Sequence, residues 1–168
     1  MIVRRIASRL WLAVILSSVL GAPAIADEPA PVPAQVPPSV SVTCTFTEIS
    51  ATKGKPPSID PQLAPAIEKR LKKAPFSTQW SEFKQLSETT RKLDKEKAEA
   101  IPLKQGAATA TLVEIVDKSK VRIKISIDNA KGKQAVNQTS LLDAGDYIIH
   151  TVVLPPNDDG HLVAVTCK

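Results

Sequence analysis

Apolar and polar residues alternate most strictly over 120–128. Val121, Ile123, Ile125 and Ile127 fall on one side, and Arg122, Lys124 and Ser126 on the other. Strand side chains point to opposite faces in turn, so this pattern predicts a half-buried antiparallel strand with one solvated side. Asn129-Ala130-Lys131-Gly132 reads as a turn, and a weaker strand follows over 133–142. After a second turn, Asp143 to Asp146, the run Tyr147 to Leu154 is almost continuously apolar and β-branched, which predicts a central strand. Pro155 to Gly160 is a loop and 161–167 the last strand. Upstream, 107–116 predicts a strand that turns through Asp117-Lys118. Near the start, Val40, Val42, Cys44 and Phe46 alternate with Ser41, Thr43 and Thr45. Turns at intervals of roughly ten residues point to a mainly β chain. The fold expected is an antiparallel β-sandwich or barrel-like domain with one short helix after the first strand.

That helix carries its own signals. Asp60 can cap orphan amides, Pro61 suits the first helical position, and Leu63, Ile67 and Leu71 form one apolar stripe. Pro65 would remove a helical hydrogen bond from such a helix, so a start at Ala64 is the alternative; Pro75 ends it. A stripe this narrow suits a helix that covers an open edge or mouth of a sheet. Residues 79–98 support two readings. Trp80, Phe83, Leu86 and Leu93 suit an amphipathic helix, whereas 83–86 and 89–93 could be two short strands.

The first 26 residues are built differently. Arg4, Arg5 and Arg9 precede an apolar run, Leu10 to Leu20, and Ala24-Ile25-Ala26 offers a small-x-small cleavage site. This is the layout of a signal peptide over 1–26. The apolar core is too short for a spanning helix, which needs about 20 residues. No cysteine precedes Cys44, so the expectation is a soluble product, periplasmic or extracellular, with no membrane span after cleavage. Residues 27–38 hold five prolines and read as an extended linker, leaving 39–168 as a single β-rich domain.

Export changes the charge argument. The chain has 22 Lys+Arg against 17 Asp+Glu; three of the cations and none of the acids lie in 1–26, leaving 19 against 17. No basic patch interleaves with aromatics, so nucleic acid is not an expected partner.

Cys44 and Cys167 are the two cysteines, each in phase with the inward set of a predicted strand. In an exported chain they most simply form one disulfide. By chain entropy a loop this long stabilises by about 4–5 kcal/mol. Two separate buried thiols are the alternative. A metal site with His150 and His161 lacks the short ligand spacings of closed zinc sites, so each histidine reads as packed or solvated.

Other chemistry is sparse. There is no Gly-x-Ser-x-Gly elbow, and six glycines provide no phosphate-cradling loop. Asp158-Asp159-Gly160 lacks the ligand spacing of a calcium loop and reads as a turn. Glu48 is either a lone inward carboxylate or the mark of a bulge or strand end. Asp143, Asp146, Glu82 and Glu88 read as solvated acids. Asn137-Gln138-Thr139 is a sequon that only a eukaryotic secretory route would use. Trp80 reads as a core or rim residue, with an exposed ligand anchor as the alternative. The expectation is no catalytic, cofactor-binding or metal residue.

Four segments together resemble a group of small exported bacterial proteins: Ser58-Ile59-Asp60-Pro61-Gln62-Leu63, Ala74-Pro75-Phe76, Phe83-Lys84-Gln85-Leu86 and Asp159-Gly160-His161-Leu162-Val163-Ala164-Val165. The resemblance implies strand-turn-strand over 82–93 and lends no functional residue. This chain departs from it at Glu82-Phe83, where Ser-Phe is usual, and at the charged stretch Asp94 to Glu99. The functional expectation is an exported, non-catalytic β-domain that acts as a binding or envelope accessory module for an unknown protein or envelope partner. The alternatives are an inhibitor of a secreted hydrolase, with Lys53–Pro57 or Pro155–Gly160 as its exposed loop, and a small hydrolase using Glu48, His150, His161 or an aspartate.

Overall fold

The computed structural model describes Val40–Lys168; the expected signal peptide, 1–26, and linker, 27–38, lie outside the described residues. Among these the chain forms nine strands and two short helices. The strands are β1 Ser41–Thr52, β2 Ser58–Ile59, β3 Glu82–Asp94, β4 Ala98–Pro102, β5 Ala107–Asp117, β6 Lys120–Asp128, β7 Gln134–Asp143, β8 Ile148–Leu154 and β9 Asp159–Cys167. The helices are α1 Pro65–Leu71 and α2 Phe76–Gln79. The strands build a five-stranded sheet, β2-β3-β1-β9-β8, and a four-stranded sheet, β4-β5-β6-β7. All ladders are antiparallel except that of β2 with β3.

The principal core joins the two sheets. Val42, Cys44, Phe46, Leu93, Val163 and Val165 from the first meet Ala110, Leu112, Ile123, Ile125, Ile127 and Leu142 from the second. A second core lies on the other face of the five-stranded sheet. There Leu63, Ile67 and Leu71, with Trp80 and Phe83, pack on Ile49, Ala51, Leu162 and Ala164. β9 is therefore covered on both faces, and all but its first residue is buried. A strand so placed can afford apolar side chains at successive positions, because neither face meets water.

The prediction for Tyr147–Leu154 is corrected on the same ground. β8 is an edge strand, with Thr151 and Val153 exposed, and β9 takes the inner position beside β1. The helical region also differs. α1 starts at Pro65, its proline in the first turn, and Ala64 precedes it without a side-chain cap. Asp60 instead closes the end of β2: Oδ1 accepts the Gln62 amide at 3.0 Å and Oδ2 the Gln85 amide at 3.1 Å. The stripe Leu63, Ile67, Leu71 is buried as its spacing predicts, but it covers a sheet face rather than an edge, and α2 follows it. Residues 82–94 are neither a helix nor two strands. They form one long strand whose register with β1 shifts between Glu48 and Ile49, leaving Leu86 without a partner. A bulge accommodates what the sequence pattern read as a turn.

Cys44 and Cys167 are register partners on β1 and β9 and are joined by a disulfide across 123 residues. Beyond them, the Thr43 and Lys168 backbones exchange two hydrogen bonds, 2.9 and 3.2 Å.

Candidate binding surface around Trp80

The polar side chains that could do acid-base chemistry come first. Glu48 continues the inward set 42, 44, 46 of β1 and is fully buried. It accepts four hydrogen bonds. Ser87 Oγ (2.6 Å) and the Lys104 amide (2.8 Å) reach Oε2, and the Gln105 amide (2.8 Å) and His161 Nε2 (2.9 Å) reach Oε1. Burial pushes the carboxyl up, yet the bonds from His161, the Lys104 amide, Ser87 and the Gln105 amide outweigh it and bring it down to about 2. An ionised carboxylate only accepts, so His161 Nε2 carries the proton of that bond. The carboxylate ties the β4–β5 connection to the five-stranded sheet. Its histidine partner is only 1% exposed, so the pair is enclosed in the protein.

His150 sits opposite Val163 on β8, its face turned to the core between the sheets. It is buried, its Nε2 has no partner among the described residues, and burial pushes its pKa down. The register puts it diagonal to His161, since Val152 is the residue opposite His161. No group of three His, Cys, Asp or Glu side chains able to hold a metal occurs among the described residues. The two cysteines are bonded to one another, away from both histidines in the register.

The open surface lies at the other end of β1. Trp80 follows α2 and is only 3% exposed. Its Nε1 donates to the Asp158 carbonyl at 2.8 Å, which pins the β8–β9 turn. Gly160 passes beneath the indole; a Cβ there would lie 2.8 Å from two ring carbons. Asp158 has φ 56° and ends the β8–β9 turn; Asp159 and Gly160, expected in that turn, instead open β9, paired with Leu154 and Val153. Opposite, the loop Lys53–Pro57 is held where Ser81 Oγ donates to the Gly54 carbonyl at 2.6 Å. A Cβ at Gly54 would press on the Glu82 side chain, whose carboxylate would have to shift.

These elements surround a groove of about 470 Å³ between α1, α2 and the β2–β3 edge. Its floor is Ile59, Leu71, Trp80 and Phe83; Ser58, Ser77 and Ser81 supply hydroxyls, and Glu68 with Lys72 stands at the rim. A second depression, on the other side of Trp80, is lined by Lys53, Thr78, Gln79, Val153 and Asp158. An apolar floor with a few polar groups around it is the usual make-up of a ligand-binding cleft. Trp80 thus lies beneath both hollows as a buried core residue.

Asp143, Asp146, Glu82 and Glu88 are exposed. The groove is lined entirely from residues 57–83, a stretch whose pattern reports an apolar stripe and not how β2, α1, α2 and β3 fold against one another to leave a hollow. No helix among the described residues is long and apolar enough to cross a membrane. No protein-family model, curated protein or solved structure matches the chain.

Proposed function

We propose that the chain is an exported, non-catalytic binding module, and that the groove floored by Trp80, Leu71 and Phe83 receives its partner. Export rests on the layout of residues 1–26, and the disulfide is compatible with an oxidising compartment. We read the paired sheets as a sandwich, because each keeps its own ladders and the core fills the space between them. The observation that carries the binding role is a contrast: the groove is open and apolar-floored, while Glu48 and His161, the acid-base pair, are sealed inside. That enclosure counts against a small hydrolase, which needs its general base within hydrogen-bond reach of substrate.

The test is site-specific photo-crosslinking in intact cells. A crosslinking side chain at Ser77, inside the groove, is compared with one at Lys131, in the β6–β7 turn. A partner captured at Ser77 and not at Lys131 supports the reading; equal capture or none at Ser77 rejects it. A second reading, inhibition of a secreted hydrolase, is supported by the exposed but anchored Lys53–Pro57 loop. It requires that Lys55→Ala weaken inhibition of a hydrolase the intact chain blocks.

A further inference from the structure

Charge is distributed unevenly around the groove. From Lys53 to Lys84 the chain has seven Lys and Arg against three acids, whereas the rest of the described residues has twelve against twelve. The whole net charge of the described domain, +4, therefore sits in the stretch that builds the groove. The three acids there are already occupied. Asp60 accepts two backbone amides, Glu68 pairs with Lys72, and Glu82 accepts the Thr52 hydroxyl. Lys53, Lys55 and Lys73 are exposed and in no ion pair among the described residues.

The backbone at the groove is also unfinished. β2 ends its sheet. Its Ser58 and Asp60 amides bond to the Ser81 and Phe83 carbonyls, so the alternation of a parallel ladder turns the Ile59 amide and carbonyl outward. An added strand can pair with such an edge, with pockets beside it sorting its side chains.

We infer that the groove binds an acidic peptide segment in extended form, paired with the outer edge of β2 at Ile59, one apolar side chain seated against Pro57 and Ile59 over the buried Leu71 and Phe83 and its carboxylates facing the unpaired Lys53 and Lys55. This rests on the binding role proposed above and specifies its partner. An anionic lipid surface would use the same cations. The recessed floor and free backbone pair favour a peptide, because a lipid headgroup has no use for either.

The test is selection of an unbiased heptapeptide library against the full chain and against a Lys53→Glu/Lys55→Glu variant, with Ser77→Trp to fill the groove. The expected result is enrichment of peptides carrying two or more Asp or Glu beside an apolar residue. Their binding should fall about tenfold on charge reversal, steepen with falling salt, and vanish in Ser77→Trp. Enrichment of neutral or basic peptides would overturn the acidic specificity and leave the groove intact as a binding site. Binding to phosphatidylglycerol vesicles without peptide enrichment would overturn it in favour of a lipid surface. Failure of both, with no crosslink at Ser77, would remove the binding role as well.

Discussion

The indole of Trp80 rests on the backbone of Gly160, with Ala51 closing the space from the side: a Cβ on the glycine would meet the Ala51 Cβ at 3.0 Å. Both neighbours are buried and one is a rigid ring, so a methyl group has nowhere to go. Gly160→Ala should lower stability by about 1–3 kcal/mol, the range for overpacking a filled core. Urea denaturation measures it. Trp80→Leu in the same background should recover part of the loss, and an unchanged urea midpoint for the single variant would refute the contact.

Glu48 offers a second test. In Glu48→Gln the side-chain amide keeps one acceptor oxygen but turns donors toward groups that also donate. Unpaired buried donors are costly, so a loss of about 2–4 kcal/mol is expected. The loss should be local at first. Hydrogen exchange at the Lys104 and Gln105 amides should quicken before exchange in β6 does. Equal protection in both forms would mean that the connection is held by something else.

Acid should weaken the fold in two steps. His150 has its pKa lowered from 6.5 by burial, so the unfolded chain takes up a proton first and stability declines as pH falls below 6.5. Glu48 is lowered from 4.5 to about 2, so its contribution is present above 4.5 and lost between 4.5 and 2. That difference corresponds to roughly 3 kcal/mol. Melting temperatures across pH 2 to 8 would test both. His150→Leu should flatten the upper step and Glu48→Gln the lower; a profile level from pH 7 to 5 in the unmodified chain would contradict the role given to His150.

Removal of the disulfide tests how far the ladders suffice. Cys44→Ala with Cys167→Ala should keep the β-sheet circular dichroism and lose about 2–4 kcal/mol, since the bridge restricts mainly the unfolded chain. The Thr43–Lys168 backbone pair and the β1–β9 register remain to hold the ends. A variant as stable as the parent would mean that the bridge contributes nothing beyond the ladder.

How much of this was legible in the sequence differs from element to element. β6 was read at its observed limits because strict alternation reports one wet and one dry face. β8 and β9 exchanged places because an apolar run says that a strand is buried and not what buries it. The cover on β9 comes from Leu63, Ile67, Leu71 and Trp80, which are remote in the chain. β3 was obscured by its many exposed charges and by the bulge at Leu86, and β4 by its brevity and Pro102. For the polar centre, Glu48 stood out as an acid in inward phase. Its partner His161 lies 113 residues away, and only the β1–β9 register brings them together.

The bond between Cys44 and Cys167 also sets how the domain answers to a mechanical pull. Traction applied between Val40 and Lys168 reaches the bridge as soon as residues 40–43 and 168 peel away. From there the load runs through the sulfurs, and the strands and helices enclosed by the bond carry none of it. Stretched from its two ends, the oxidised domain should extend by only those few residues, whereas a thiol reductant would let the entire chain unravel under the same tension.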